Sequence, residues 1–117
     1  MSRVEPVLLA RAVTRLEEVK VRFTALTDEQ VTAVLSDICE RDKLTLKVLD
    51  VSHNSIFSKR TNFKVNFKVS TVEPGLLARA VTRLEEMNVR YTDLTEEQKS
   101  ILREARSSCR VVGVDSV

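Results

Sequence analysis

The sequence predicts an α/β fold in which strand–helix units repeat along the chain and stack into a solenoid. One observation is an internal duplication: residues 4–30 and 72–98 differ at only six of 27 positions, at an offset of 68 residues. The other is that the apolar spacing changes between a period of two, typical of half-buried strands, and a helical period. Units of this kind are amphipathic and cannot bury an apolar face alone, so that stacked neighbours share one core.

The composition indicates one globular domain spanning residues 1–117. The chain is 43% hydrophobic, 31% charged and 4% aromatic without Trp, so the core must consist of Leu, Val, Ile and Ala. A net charge of +2 requires neither nucleic acid nor an acidic membrane as partner. Two cysteines are too few for a disulfide scaffold, and no apolar stretch has the length of a signal peptide core or a membrane span. These features predict a cytoplasmic location.

A shorter pattern recurs within and beyond the duplicated segment. Residues 16–26 (LEEVKVRFTAL), 46–56 (LKVLDVSHNSI) and 84–94 (LEEMNVRYTDL) all fit LxxLxLxx[N/T]xL. A partial fourth unit spans residues 109–117. The pattern resembles the leucine-rich repeat, in which Asn54 occupies the asparagine position and Thr24 and Thr92 replace that asparagine in the other two units.

The resemblance implies parallel strands on the concave side of a short solenoid and helices on its convex side. Units near 28 residues are similar to the ribonuclease-inhibitor-like subclass, which is also found in NOD-like receptors. The fold implied in this way is specific, but proteins of this family bind many unrelated partners.

Each unit has a strand pattern followed by a helix pattern. Asp28 and Glu29 suit the first turn of a helix, where negative charge opposes the positive end of the dipole. Pro6 and Pro74 suit first turns because the missing N–H is tolerated there. The alternating strand residues are Val19 and Val21, Leu49 and Val51, and Met87 and Val89. The residues at helical spacing are Leu8, Leu9, Ala12, Val13 and Leu16; Val31, Val34, Leu35 and Ile38; and Leu76, Leu77, Ala80, Val81 and Leu84.

An insertion near residues 57–69 (FSKRTNFKVNFKV) lengthens the spacing between the second and third units to 38 residues, against 30 between the first and second. It contains four basic residues and no acidic one, and its residues 63–69 alternate like a strand or hairpin arm. Three interpretations stay open: a tolerated surface loop, a loop that recognises an acidic partner, and a nucleic-acid contact. Four basic residues are a small footprint for the last of these.

No residue set predicts catalysis, a cofactor or a metal. His53 is the single histidine, and Cys39 and Cys109 are isolated from each other and from it, without the spacing of a metal site. We interpret the two cysteines as small buried hydrophobic residues, with a reactive thiol as the alternative. The acidic pairs at 17–18 and 85–86 recur because of the duplication. The sequence therefore predicts a protein that is not an enzyme.

The candidate binding surface lies between the buried strand residues, which should leave the intervening side chains on the concave face. Reading across the three units gives four rows, each contiguous because strands are about 4.8 Å apart. The last row is an aromatic ridge flanked by arginines, of a composition that is enriched in interface hot spots; the alternative is ordinary packing. The rows are Glu18, Val48 and Glu86; Lys20, Asp50 and Asn88; Arg22, Ser52 and Arg90; and Phe23, His53 and Tyr91.

These observations predict a protein–protein interaction module that binds its partner through Lys20, Arg22, Phe23, Asp50, His53, Asn88, Arg90 and Tyr91. One alternative, from the same resemblance, is a regulator of an enzyme, either an inhibitor or a GTPase-activator-like protein. Another is self-association through open ends of the solenoid, or a fragment of a longer repeat array. The expected partner is another protein, without membrane or nucleic acid.

Overall fold

The structure is a computed structural model that describes residues 5–21, 26–54, 58–62, 67–70 and 72–114. Its main sheet consists of four strands that are all parallel and lie in chain order. They are β1 (Glu18–Lys20), β2 (Val48–Asp50), β5 (Glu86–Asn88) and β6 (Arg110–Val112). Parallel strands that follow one another in this way require a crossover between each strand and the next.

The central residues of the four strands form one buried row. The register places Val19 beside Leu49, Leu49 beside Met87, and Met87 beside Val111, and all four are buried. Each strand is short, but the ladder continues one residue further, since the N–H of Val21 donates to the Asp50 carbonyl at 2.8 Å. The apolar strand residues predicted to be buried are buried in all three units. A strand in the partial fourth unit is confirmed too, but its buried residue opposite Met87 is Val111, whereas a unit that starts at Cys109 places Val112 there.

Four helices in the described part of the chain connect or precede the strands. They are α1 (Pro6–Val13), α2 (Asp28–Glu40), α3 (Pro74–Val81) and α4 (Glu96–Glu104), and each packs against the next in chain order. Pro6 and Pro74 lie in the first turns of α1 and α3, as predicted. Apolar residues from the helices and the parallel sheet together form the single buried core.

Helices α2 and α4 begin with the same capping box, which the sequence analysis did not identify. The Thr27 hydroxyl accepts from the Gln30 N–H at 3.1 Å, and the Gln30 side chain accepts from the Thr27 N–H at 3.0 Å. Thr95 and Gln98 repeat the arrangement at 3.2 and 2.9 Å. Reciprocal bonds of this kind satisfy two of the N–H groups that a helix start leaves without partners. The T-x-x-Q spacing in the sequence was the available signal.

The two copies of the duplicated segment differ in burial although their local backbone is the same. The residues before and after α1 and α3 have dihedral angles that agree within a few degrees. Leu8 is nevertheless 56% exposed, whereas its copy Leu76 is 6% exposed; Leu16 is 53% exposed and its copy Leu84 is 2% exposed. The helical set is thus buried only in part in the first copy, where Leu9 and Val13 are buried. In the described part of the chain α3 packs against both α2 and α4, whereas α1 packs against α2.

The insertion forms a separate antiparallel pair of strands. Strand β3 (Ser58–Asn62) pairs with β4 (Phe67–Ser70), with a shift of register between Arg60 and Asn62. Part of the insertion is therefore a hairpin arm, as its alternation suggested, and it lies between β2 and α3 in the chain without joining the parallel sheet. Residues 55–57 and 63–66 lie outside the described residues.

The chain thus has a mixed α/β architecture with four parallel strands in one sheet and four helices, within the ranges that the structure describes. None of those helices has the length and apolar character needed to cross a membrane.

Candidate functional site

The register of the sheet brings the first two predicted rows together. Glu18 lies beside Val48 and Val48 beside Glu86, while Lys20 lies beside Asp50 and Asp50 beside Asn88. Strand β6 extends these rows with Arg110 and Val112. The first rows carry charges of both signs, paired at the surface: Lys20 with Glu18 at 3.1 Å and Arg110 with Glu86 at 3.6 Å. Such exposed pairs contribute at most about 1 kcal/mol each.

Asp50 and Asn88 shape the turn that follows each strand. The Asp50 carboxylate accepts from the Ser52 N–H at 3.0 Å, and the Asn88 side-chain oxygen accepts from the Arg90 N–H at 3.0 Å. Both bonds are of the kind by which Asp and Asn stabilise turns in their own backbone. Asp50 and Ser52 are buried, so the prediction that they point outward is corrected: they position their neighbours and offer little surface to a partner.

His53 and Tyr91 form a stacked pair at the ends of β2 and β5. Their ring centroids are 4.6 Å apart, with the planes tilted by 34°. Both residues have a positive φ, 60° for His53 and 58° for Tyr91, which is uncommon for residues other than glycine. The His53 N–H donates to the Arg90 carbonyl at 2.9 Å and ties the two turns together.

This pair is the part of the predicted aromatic ridge that the structure describes. Tyr91 is 64% exposed and Arg90 beside it is exposed, whereas His53 is half-buried. Arg22 and Phe23, the first members of the two rows, lie outside the described residues. Backbone held in a sparsely populated region costs about 1–3 kcal/mol at each residue. The bonds from the His53 N–H and to the Arg90 N–H hold the backbone of this turn, and the Tyr91 ring lies against the His53 ring.

The side chain of Asn54, the residue after His53, connects the backbone of the first unit to that of the second. Its side-chain oxygen accepts from the Leu26 N–H at 3.2 Å. Its amide group donates to the carbonyls of Val21 at 3.0 Å, Val51 at 3.1 Å and Ser52 at 3.1 Å. Thr92, at the matching position of the next unit, has a single such bond, to the Val89 carbonyl at 2.6 Å. The role of Asn54 is thus to hold two successive turns in register.

The described residues form a small enclosed cavity and larger, more open depressions, one of which measures about 460 Å³ and is lined by Arg106, Cys109 and Val111 among others. They contain no group of three or more His, Cys, Asp or Glu side chains placed to hold a metal ion. A cavity beneath α1, lined by Leu9, Val13, Val19 and Val34 among others, measures about 20 Å³, which is room for one water-sized sphere. The surface formed by His53, Arg90 and Tyr91 at the strand ends, which we call the strand-end surface, is the candidate for binding a protein partner because Arg90 and Tyr91 are exposed there.

Cys109 is expected to react far more slowly than an ordinary thiol in the folded protein. Burial, with the Glu86 carboxylate as a second cause, raises the pKa of Cys109 to about 11. Because the thiolate is the reactive form, its population at pH 8 falls to about one-thousandth, against roughly a quarter for a free thiol, so alkylation should slow by at least about 100-fold. The alkylation rate is measured by quenching iodoacetamide labelling at a series of times and determining the modified fraction by mass spectrometry.

The half-buried Cys39 serves as the internal control for that labelling, and the single variants Cys39→Ser and Cys109→Ser assign each rate. Both thiols should react at equal rates in urea, where the burial is lost. Rapid labelling of Cys109 in the native protein would contradict the packing of β6 against the core.

Comparison of the chain with models of protein families, with curated proteins and with solved structures gives no match.

Proposed function

We propose that this chain is a protein-interaction module of the leucine-rich-repeat type, which binds a partner protein through the face of its parallel sheet and the turns at the strand ends. The observation that carries the proposal is Tyr91, a large aromatic residue that is mostly exposed, stacked on His53 and fixed at a positive φ. Tyr and Arg are enriched among the residues that dominate binding energies, and Arg90 is the immediate neighbour.

The rigidity of the pair supports this use. Ordering a mobile side chain at an interface costs about 0.5–1.5 kcal/mol, a cost that a side chain already held in place avoids. The backbone bond from His53 to Arg90 and the side-chain bond from Asn88 to the Arg90 N–H hold the Tyr91 turn before any partner arrives. Asn88 and Lys20 extend the surface along the second row, and the proposal includes Arg22 and Phe23 from the sequence.

The repeat type is supported by three features of the described chain. Successive short strands pair in parallel in chain order. The first, fourth and sixth positions of the second and third units, from Leu46 and Leu84, are buried. Asn54, at the asparagine position of the pattern, bonds the backbone of its own unit and of the preceding one.

The double variant Arg90→Glu/Tyr91→Ala is expected to lose partner binding by about 30-fold or more, the loss typical of removing hot-spot residues. The measurement is a quantitative pull-down from cell extract, followed by a titration of the purified partner against both proteins. Both side chains are exposed, so the fold should survive; circular dichroism and thermal unfolding check this.

Arg79→Glu, which makes the same change of charge on the exposed face of α3, is the matched control and should bind like the parent. If the double variant and the control retain equal affinity for the captured partner, the strand-end surface is not the binding site.

A further inference from the structure

A second surface of the molecule is apolar and exposed on the side of α1 that faces away from α2. It consists of Leu8, Ala12 and Leu16, with the exposed Arg15 beside them, and we call it the α1 face. The duplication supplies an identical set 68 residues later: Leu76, Ala80, Leu84 and Arg83. In that copy the three apolar residues are buried.

Helix α3 packs against α2, and the described polar contacts of this copy lie at the carboxyl-terminal end of α2 and the turn after it. The Arg83 guanidinium donates to the Ile38 carbonyl, to the Cys39 carbonyl at 3.3 Å and to the Asp42 carbonyl at 3.5 Å. The Cys39 sulfur lies 4.0 Å from the Leu76 carbonyl oxygen. The last carbonyls of a helix have no partners within the helix and carry partial negative charge, so that an arginine placed there is favourable.

We infer that the α1 face is a second docking site, separate from the strand-end surface, for the carboxyl-terminal half of an amphipathic helix of a partner protein. The helix has the chemistry of α2: apolar residues at the positions of Leu35 and Ile38, and terminal carbonyls that accept hydrogen bonds from Arg15. The identity of residues and of local backbone between α1 and α3 carries this inference, because the same set already binds such a helix end inside the molecule.

A second copy of this chain does not offer that helix. Its own α2 is engaged by its α3, and Leu35 and Ile38 are fully buried there. Its α4, aligned with α2 through the shared capping box, has Arg103 at the position of Leu35, and the 3-10 turn that follows α4 has Arg106 at the position of Ile38. Both are exposed, and their positive charges would approach Arg15 on the α1 face, which disfavours head-to-tail association.

The test uses the whole protein and a helix-stabilised synthetic peptide with the α2 sequence of residues 27–43. Isolated helices of this length are marginal in water, so the peptide needs a side-chain staple on its exposed face. Titration followed by amide chemical shifts should move the resonances of α1 and of residues 14–17 and leave those of α3 unchanged, since the tethered α2 competes at high effective concentration there. A peptide of residues 95–108, from α4, should not bind.

Two protein variants define the contact. Leu8→Glu/Leu16→Glu should abolish peptide binding, and Arg15→Gln should weaken it about ten-fold, the loss expected for hydrogen bonds made by a charged group. All three positions are exposed, so unchanged thermal unfolding is the check on folding. Peptide variants with Leu35→Arg and Ile38→Arg should fail to bind the parent protein.

Three results of the peptide titration would overturn the inference: no binding by a peptide shown to be helical, binding that survives Leu8→Glu/Leu16→Glu, or equal binding of the α4 peptide. Sedimentation measures the oligomeric state and distinguishes a partner helix from a second copy of this chain. A dimer abolished by Leu8→Glu/Leu16→Glu would identify a second copy as the occupant and overturn the assignment to a partner helix. The Arg90→Glu/Tyr91→Ala variant should bind the peptide normally, because its substitutions lie outside the α1 face. A failure of the peptide to bind would therefore leave the proposed function of the strand-end surface untouched.

Discussion

Leu84→Ala is expected to lower the free energy of unfolding by about 2–5 kcal/mol, whereas Leu16→Ala, the same change at the copied position, should lower it by less than about 1 kcal/mol. Leu84 is buried in the core and its truncation leaves a cavity there. Leu16 is half exposed, so its truncation removes little buried area. Since the sequence around both residues is nearly the same, local propensity cancels in the comparison.

Urea unfolding, monitored by circular dichroism, gives the free energy of unfolding of both variants. The two values can be compared if the m-values are equal. If Leu84→Ala proves unfolded without denaturant, the milder Leu84→Val and Leu16→Val preserve the same comparison. Equal losses at the two positions would mean that the first copy is covered as the second is, which would contradict the difference in exposure between Leu16 and Leu84. Leu8→Ala and Leu76→Ala repeat the comparison within the helices.

The strand register could be predicted because it depends on local pattern. Val19, Leu49 and Met87 each stand in an alternating stretch, and the same pattern repeated three times aligns the stretches with one another. A one-residue shift would move every one of these side chains to the other face of its strand, so burial specifies the register strongly. The parallel arrangement was an expectation from the resemblance to leucine-rich repeats, and the pairing of the four strands confirms it.

Burial could be predicted less well because it depends on neighbours. Leu8 and Leu76 have the same residues on both sides apart from position 7 and its copy, yet one is exposed and the other buried. Nothing in a window of sequence distinguishes them; what differs is that α3, which carries Leu76, packs against both α2 and α4. The same limit applies to the pairing of β3 with β4, where alternation predicted an arm but not its partner.

The geometry of the candidate site was the hardest part to predict from sequence. His53 and Tyr91 adopt a positive φ although neither is a glycine or an asparagine, the residues whose presence signals such a turn. Asp50 appeared to be a surface charge because it stands between two apolar residues, but the turn that follows β2 draws its carboxylate to the Ser52 N–H. In both cases contacts between turns override the local preference.

Asn54→Ala is expected to cost about 2–4 kcal/mol of stability, because it leaves a buried N–H and three carbonyls without their side-chain partner. The N–H belongs to Leu26, before α2, and one of the carbonyls belongs to Val21, at the end of β1. The loss should therefore concentrate where the first unit meets the second. Hydrogen exchange measures this, with faster exchange expected at Leu26 and Val21 than at Leu94 and Val89, their counterparts in the other copy.

The chain offers its own graded control in Thr92, which stands at the position of Asn54 in the third unit and bonds only to the Val89 carbonyl. Thr92→Ala should cost about 0.5–1.5 kcal/mol, the net value of one hydrogen bond. Asn54→Thr should fall between the two variants, since a threonine can keep the bond to Val51 but cannot reach both Leu26 and Val21. A loss for Asn54→Ala no larger than that for Thr92→Ala would show that the bonds between the units add nothing. The stacking would then rest on apolar contact alone.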